Sequence, residues 1–438
     1  MRTPMLGVAI GMALADSSIV TLALPDVLRE FDVGITTVAW VLTSFNLVLA
    51  VLAVPAAYVA RRRPWEAYVA GALVFAAASL ACGSAPSFEV LVGARCVQAA
   101  GAALIVTAAL DLLSETLRSP ERAFRVWITA GILGAALGPA AGGVLTQVLG
   151  WRSIFLLQVP VAIVVLIALR GLEAQPLPAP AGRPHLTANL ALLLVSGGLV
   201  AALFLIVLLL VDGWSMSPAA AGLVVTVMPA AAIAVSRFRP KMGVVTEIAS
   251  GVILVSGGLA ALAFMPRAGW AWTIPPQLLV GAGLGLALAG LTEIALRGRA
   301  DQVVHGGWTI AARHAGVVLG LVLLAPVLTT ALEESREEAI RAGAAVVLDS
   351  GIAPLDKLGL AQDVLDEVDR AKGVGELPRV GAVFEGRPDE DEWRSLASAL
   401  QDQLNRAVTS AFSRPFLLAA LLALAALVPI AFMRRRTA

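Results

Sequence analysis

Asp16 lies in Leu14-Ala15-Asp16-Ser17-Ser18-Ile19-Val20-Thr21-Leu22-Ala23-Leu24-Pro25, in the middle of the chain's first apolar run. A carboxylate at bilayer depth costs roughly 2.5–3.5 kcal/mol on insertion scales, so keeping one there implies a task. Burial disfavours the ionised form of a carboxyl, and a group so placed can bind and release a proton. The plainer alternative is a structural Asp hydrogen-bonded to Ser17, Ser18 or another helix. Arg95 lies in the fourth apolar run, and a permanent cation there needs a partner. It could attract Asp16, or it could bind backbone carbonyls and fix helix packing. Gln98 stands one helical turn on and shares its face. Arg313 and His314 lie in a later run. Adjacent residues point about 100° apart on a helix, so the two rarely face one cavity, and each is a candidate to line it.

A second set of residues has no side-chain chemistry. Gly134, Gly138, Pro139, Gly142 and Gly143 cluster in the fifth apolar run. Glycines let a helix pack backbone to backbone, and a proline bends it. The expected role is a close, sliding contact with a facing helix, which shades into ordinary tight packing.

The elements that must hold these groups are helices in a membrane. The chain has 438 residues, 58% of them hydrophobic, and a mean hydropathy of +0.85. Twelve apolar runs near the spanning length of about 20 residues are read at 4–25, 36–60, 67–84, 88–113, 123–149, 153–170, 188–211, 218–236, 247–266, 272–296, 306–331 and 416–433. The fold class expected is an all-α integral membrane protein. Residues 1–170 form one six-helix bundle, and residues 188–331 with 416–433 form another. Residues 171–187, with Pro176, Pro178, Pro180 and Pro184, read as an extended linker on the cytoplasmic side. Arg2 and Ala13-Leu14-Ala15 imitate a signal peptide, but cleavage would break the span count.

Charge sets the orientation. Arg61-Arg62-Arg63, Arg118, Arg122, Arg125, Arg170, Arg183, Arg237, Arg239, Lys241, Arg297, Arg299 and Arg434-Arg435-Arg436 share one side, whereas the short loops opposite hold only Arg29, Arg152 and Arg267. By the positive-inside rule both termini are cytoplasmic. Residues 332–415 are an extracytoplasmic insertion, acidic over 332–411 with 17 Asp and Glu against nine Lys and Arg. Asp389 with Glu392 could cap a helix there. Trp393, Leu396, Leu400, Leu404 and Val408 then recur at helical spacing, and Leu360, Val364, Leu365 and Val368 suggest a second stripe. A small helical subdomain and a solvated loop both remain open.

Several classes are excluded. Cys82 and Cys96 offer no disulfide framework. His185, His305 and His314 make no metal-ligand pattern, and no nucleophile–base pair stands out. No metal site and no catalytic residue are expected, so the chain is not read as an enzyme. Gly281-Ala282-Gly283-Leu284-Gly285 lies inside an apolar run with no strand before it, which rejects nucleotide binding, and no Walker loop is present.

These motifs resemble the major facilitator superfamily, and within it the second drug:proton antiporter family. Asp16 to Pro25 resembles that branch's first-helix motif, with Thr21 where Asn is usual. Arg95-Cys96-Val97-Gln98-Ala99-Ala100-Gly101-Ala102-Ala103 resembles its fourth-helix motif, and Gly134 to Gly143 its antiporter motif. Trp151-Arg152-Ser153-Ile154-Phe155-Leu156-Leu157-Gln158-Val159-Pro160 is similar to the family's Trp-Arg-Trp-x-Phe-x-x-Asn-x-Pro, and Arg313-His314-Ala315-Gly316 to a late-helix Arg-Gln-x-Gly. The branch usually has fourteen spans. Its latch between helices two and three, Gly-x-Leu-Ala-Asp-x-x-Gly-Arg, is lost here: Ala56, Ala60 and Arg63 replace the first Gly, the Asp and the second Gly.

The resemblance implies a multi-pass secondary transporter of a bacterial inner membrane, monomeric, exporting a hydrophobic or amphiphilic small molecule in exchange for protons. No cofactor is expected beyond protons as coupling ion, and no nucleic acid. Asp16 would carry the proton with Arg95 tuning it. Gln98, Arg313 and His314 would face the substrate, and Gly134, Gly138, Pro139, Gly142 and Gly143 would form the moving interface. Two alternatives stand beside this. One is export of a lipid or cell-envelope precursor, with an envelope partner at the acidic insertion. The other is a non-transporting scaffold or sensor that keeps the fold.

Overall fold

The computed structural model describes residues 2–172, 183–238, 242–266, 268–296, 301–373, 383–384 and 391–437. Outside them lie Pro176, Pro178 and Pro180 of the linker, the basic residues Arg239, Lys241, Arg267, Arg297 and Arg299, and the capping residue Asp389. The side chains of Leu365, Val368 and Arg434 to Arg436 are likewise not described.

Apolar composition makes the runs helical, because in hydrocarbon each backbone polar group must be satisfied within its own segment. The first half contains α1 (Arg2–Thr21), α2 (Leu24–Phe31), α3 (Ile35–Val38), α4 (Trp40–Ala60), α5 (Pro64–Gly83), α6 (Phe88–Leu117), α7 (Pro120–Leu149), α8 (Arg152–Leu156) and α9 (Gln158–Ala168). The second contains α10 (Leu186–Leu208), a π-helical turn (Leu209–Gly213), α11 (Pro218–Arg237), α12 (Val244–Ala263), α13 (Trp270–Leu296) and α14 (Gln302–Asp349). After α15 (Pro354–Gly373) and α16 (Asp391–Ala411) the chain returns through α17 (Ser413–Leu424) and α18 (Leu427–Thr437). Local sequence sets the starts. Ser87, Ser119 and Ser217 accept hydrogen bonds from the backbone of Val90, Arg122 and Ala220, satisfying amides that a helix leaves unpaired.

Among the described residues, eleven helical stretches are long and apolar enough to cross a membrane, and Arg152–Ala168 is a shorter apolar one in the place of the expected sixth span. They pack as two bundles. In the first, α1 lies against α7 and α6, and α5 against α6 and α9; in the second, α10 lies against α14, and α12 against α13 and α17. The bundles meet where α4 packs along α14 and α7 along α11. The end that carries Arg61 is called the basic end below, and the end that carries α15 and α16 the acidic end.

Three expected boundaries are corrected. The first span does not run to residue 25: α1 stops at Thr21 and α2 begins afresh with Pro25 in its first turn, where a missing N–H costs nothing. Asp16 is therefore not mid-span but five residues, about 7.5 Å, from the acidic end of α1. The run 153–170 is broken into α8 and α9. The helix of span eleven does not end at 331: α14 is 48 residues long in all, roughly 70 Å at 1.5 Å per residue and far longer than the bilayer core.

That extension builds a helical subdomain rather than a loop. α16 folds back along α14, and Val347, Ile352, Leu360, Val383, Trp393, Leu396 and Leu400 form a separate core. Phe384 meets Trp393 edge to face at 6.3 Å. The stripe read from Trp393 to Val408 is the buried face of α16: Trp393, Leu396, Leu400 and Val408 are all buried. An apolar pocket remains between Leu332, Ile340, Val364, Leu400, Leu404 and Val408.

Candidate functional site

Asp16, Arg95 and Gln98 come together inside the first bundle, and all three are fully buried. Arg95 Nη1 donates to Asp16 Oδ2 at 2.5 Å and to Gln98 Oε1 at 2.6 Å, while its Nε donates to the Val41 carbonyl at 3.1 Å. Gln158 Nε2 donates to Asp16 Oδ1 at 2.9 Å. Gln98 Nε2 donates in turn to Gln158 Oε1 at 2.7 Å and Ser79 Oγ at 2.8 Å. Five helices thus close one polar ring: α1, α4, α5, α6 and α9. Nη2 of Arg95 has no hydrogen-bond partner among the described residues. The rings of Phe45 and Phe155 cover the guanidinium, with centroids 4.2 and 5.5 Å away, an attraction that desolvation strengthens.

The chemistry of this ring is that of a compensated ion pair. Desolvating each charge costs several kcal/mol, recovered only while both partners stay paired and hydrogen-bonded. Removing either charge would strand the other inside the bundle. Gln98 was expected to face a substrate cavity, but the structure places it inside the bundle, where its amide joins Arg95 to Gln158. Ser79 and Gln158 were not singled out from the sequence. Gln158 had a signal, since it fills the Asn position of the Trp151–Pro160 motif; Ser79 had none.

His314 and Arg313 part company, as their angular spacing requires. His314 Nδ1 meets Asn46 Oδ1 of α4 at 2.6 Å, across the seam between the bundles. Asn46 Nδ2 donates to Ser17 Oγ at 3.2 Å, so this bridge ends next to Asp16 in sequence. Arg313 is half-buried and makes no hydrogen bond or ion pair among the described residues.

The glycine cluster divides between two faces of α7. A Cβ on Gly134 would stand 2.3 Å from the Gly11 carbonyl oxygen, and one on Gly138 2.0 Å from Ser18 Oγ. Gly142 packs on Ile19 in the same way, so three of the glycines seat α7 on α1 within the first bundle. Gly143 and Pro139 face the other bundle instead: Gly143 meets Pro218, and the Pro139 carbonyl meets Gly222.

At the basic end Arg61 Nε lies 3.2 Å from Asp301 Oδ2, with both side chains nearly inaccessible at 6% and 4%. Asp301 also caps α14 by accepting from the Val304 amide at 3.1 Å. Neither residue was singled out as a pair. At the acidic end Glu30 accepts from Trp151 Nε1 and Arg152 Nη1, each at 2.5 Å. Partial burial pushes the Glu30 carboxyl up, but those two hydrogen bonds outweigh it and hold it below the ordinary carboxylate value. Among the described residues no group of three or more His, Cys, Asp or Glu side chains could hold a metal ion.

The chain resembles known proteins in both sequence and shape. It is 39% identical over 166 residues to the multidrug resistance protein Stp of Mycobacterium tuberculosis, a match covering 36% of this chain and 30% of that protein. Against the drug efflux pump JefA of the same species it is 36% identical over 182 residues, 40% of this chain and 35% of the relative. Against the methylenomycin A resistance protein of Streptomyces coelicolor it is 32% identical over 238 residues, 52% of this chain and 48% of the relative. The chain thus spans about a third to a half of the length of these relatives. A bacterial homologue of the human lysosomal transporter Spinster, solved inward-facing and unoccupied, superposes with a TM-score of 0.67 at 14% identity, covering 98% of this chain and 97% of that one; at that identity the likeness speaks to the fold. The family model of the Major Facilitator Superfamily matches residues 6–320. With its two helical bundles and that match over most of its length, the chain belongs to the Major Facilitator Superfamily.

Proposed function

We propose that this protein is a proton-coupled exporter of hydrophobic or amphiphilic compounds. The observation that carries the reading is the buried ring of Asp16, Arg95, Gln98 and Gln158. A carboxylate so enclosed is released only if its helices shift, and α1 rests on α7 through glycines that hold no side chain in the way. Proton uptake at Asp16 and movement of α1 against α7 are then one event. The Ser17–Asn46–His314 bridge carries that movement to the second bundle. Relatives named as drug efflux and antibiotic resistance proteins support outward movement of small molecules. The substrate is expected between the bundles, reached by alternating access.

The basic end is taken as cytoplasmic on the positive-inside rule, in a bacterial inner membrane. The protein acts as a monomer with no cofactor beyond the proton. The test is substrate-driven proton movement. Purified protein is reconstituted in liposomes containing a pH-sensitive dye, and a hydrophobic drug is added outside. Proton flux that depends on drug and protein supports the reading, and drug flux without protons overturns it. One observation favours a second reading, export of a lipid or envelope precursor: the apolar pocket of the subdomain stands on the same helix, α14, that carries Arg313 and His314. Replacing 340–385 by a Gly/Ser linker would then abolish lipid export and spare drug export.

A further inference from the structure

We propose that Arg313 is the anion-binding residue of the transport pathway, so that the compound carried is an amphiphile bearing a carboxylate, sulfonate or phosphate group. This rests on the export reading for direction of movement, but not for binding.

The first ground is depth. Arg313 follows Gln302, the first residue of α14, by eleven positions, about 16 Å along the helix, which places it near the middle of a 30 Å core. The second ground is direction. Trp308, Val322 and Leu323 are exposed and mark the lipid-facing stripe of α14. Five residues after Trp308, Arg313 points about 140° away from that stripe. Its neighbours in angle are interior ones: Gly306 approaches Leu110 of α6, and Gly320 packs on Gly197 of α10. Arg313 is half-buried on that face, and on the proposed reading its exposed part lies in the space between the bundles.

The third ground is charge. Nothing described neutralises Arg313. Asp16 is taken by Arg95 and Gln158. Asp111, Glu115, Glu247 and Glu293 lie within about two turns of the basic end, and Asp212 sits in the π-helical turn at the acidic end. His314 beside it adds no negative charge and is held by Asn46. The seam at this depth is therefore positive. An uncompensated cation away from water is costly, and a substrate anion removes that cost on binding. A planar guanidinium suits carboxylate and phosphate oxygens, which it can grip with two parallel hydrogen bonds. The same charge rejects cationic amphiphiles.

The experiment measures equilibrium binding to the full-length protein in lipid nanodiscs, with no pH gradient. Three dansyl probes of similar apolar bulk are titrated at pH 7: dansylglycine (anionic), dansylglycinamide (neutral) and dansylethylenediamine (cationic). Dansylglycine is expected to bind at least about tenfold tighter than the neutral probe, and the cationic probe more weakly still. Arg313→Gln erases the preference, while Arg313→Lys keeps part of it. Equal or tighter binding of the cationic probe, an unchanged preference in Arg313→Gln, or no saturable binding of any probe overturns the proposal. Should Arg313→Gln not fold, the order of affinities in the unaltered protein and in Arg313→Lys decides. An intact anion preference without proton-coupled flux would refute the export mechanism and leave this site standing.

Discussion

Arg61 and Asp301 join the two bundles at the basic end, 3.2 Å apart and almost closed to solvent. The latch motif that the family resemblance implies is absent here. Ala60 stands where that motif has its Asp, and the carboxylate lies instead across the seam, capping α14. Breaking a buried pair from one side costs about 3–5 kcal/mol, enough to shift a two-state equilibrium decisively. Asp301→Asn is expected to open the basic end. In a background lacking Cys82 and Cys96, a cysteine at Ala57, which packs against Gly307, should label at least about tenfold faster in the variant. Exchanging the charges, with Arg61→Asp and Asp301→Arg, should restore slow labelling. Unchanged labelling in Asp301→Asn would show that the pair does not hold this end shut.

The seat of α1 on α7 makes a graded prediction. Gly134→Ala places a methyl group 2.3 Å from the Gly11 carbonyl oxygen, and overpacking of this kind costs about 1–3 kcal/mol. Gly93→Ala, where a Cβ meets nothing within 4 Å, should be neutral or slightly stabilising. Thermal unfolding in detergent should show a clear drop for the first and none for the second. Equal midpoints would mean that α1 and α7 are not in close contact.

How much of this was legible in the sequence follows the cost of each group in lipid. Asp16, Arg95 and Arg313 announce themselves because charges inside apolar runs are expensive. Gln158, Ser79 and Asn46 carry no such signal, since an uncharged polar residue is tolerated in a span for many reasons. The Arg61–Asp301 pair is invisible for a different reason: 240 positions separate its members, and only the meeting of α4 with α14 brings them together. Hydropathy also set the end of span eleven at 331, because it reports where lipid contact ends. The helix itself runs on to Asp349, its outer part stabilised by α16 rather than by lipid.

Glu30 gives a pH dependence of known sign. Hydrogen bonds from Arg152 and Trp151 hold its carboxyl below the ordinary value of 4.5. Their stabilisation is therefore complete above that value and fades as pH falls through the lower, folded-state value. Glu30 and Arg152 are 41% and 35% exposed, so the contribution stays below about 1 kcal/mol. Glu30→Gln should be slightly less stable than the unaltered protein at pH 7, and the difference should shrink as pH falls below 4.5. A difference that grows on acidification would contradict the pairing.

Orientation is tested at Ser395, an exposed residue of α16. In a background lacking Cys96, Ser395→Cys should react with an impermeant maleimide in intact cells once any outer membrane is opened. Labelling only after lysis would place the acidic subdomain in the cytoplasm and reverse the topology.

Asp16 is the proposed carrier of the coupled proton. Asp16→Asn keeps the shape of the side chain and can still hydrogen-bond Gln158, but it cannot take up a proton, and it leaves Arg95 without its counter-charge. The direct measurement is drug-dependent proton flux in liposomes with an imposed pH gradient, comparing Asp16→Asn with the unaltered protein at matched, correctly folded amounts. Proton flux is expected to fall to background, while drug binding persists in a gradient-free assay. Proton-coupled transport at the unaltered rate in Asp16→Asn would contradict it.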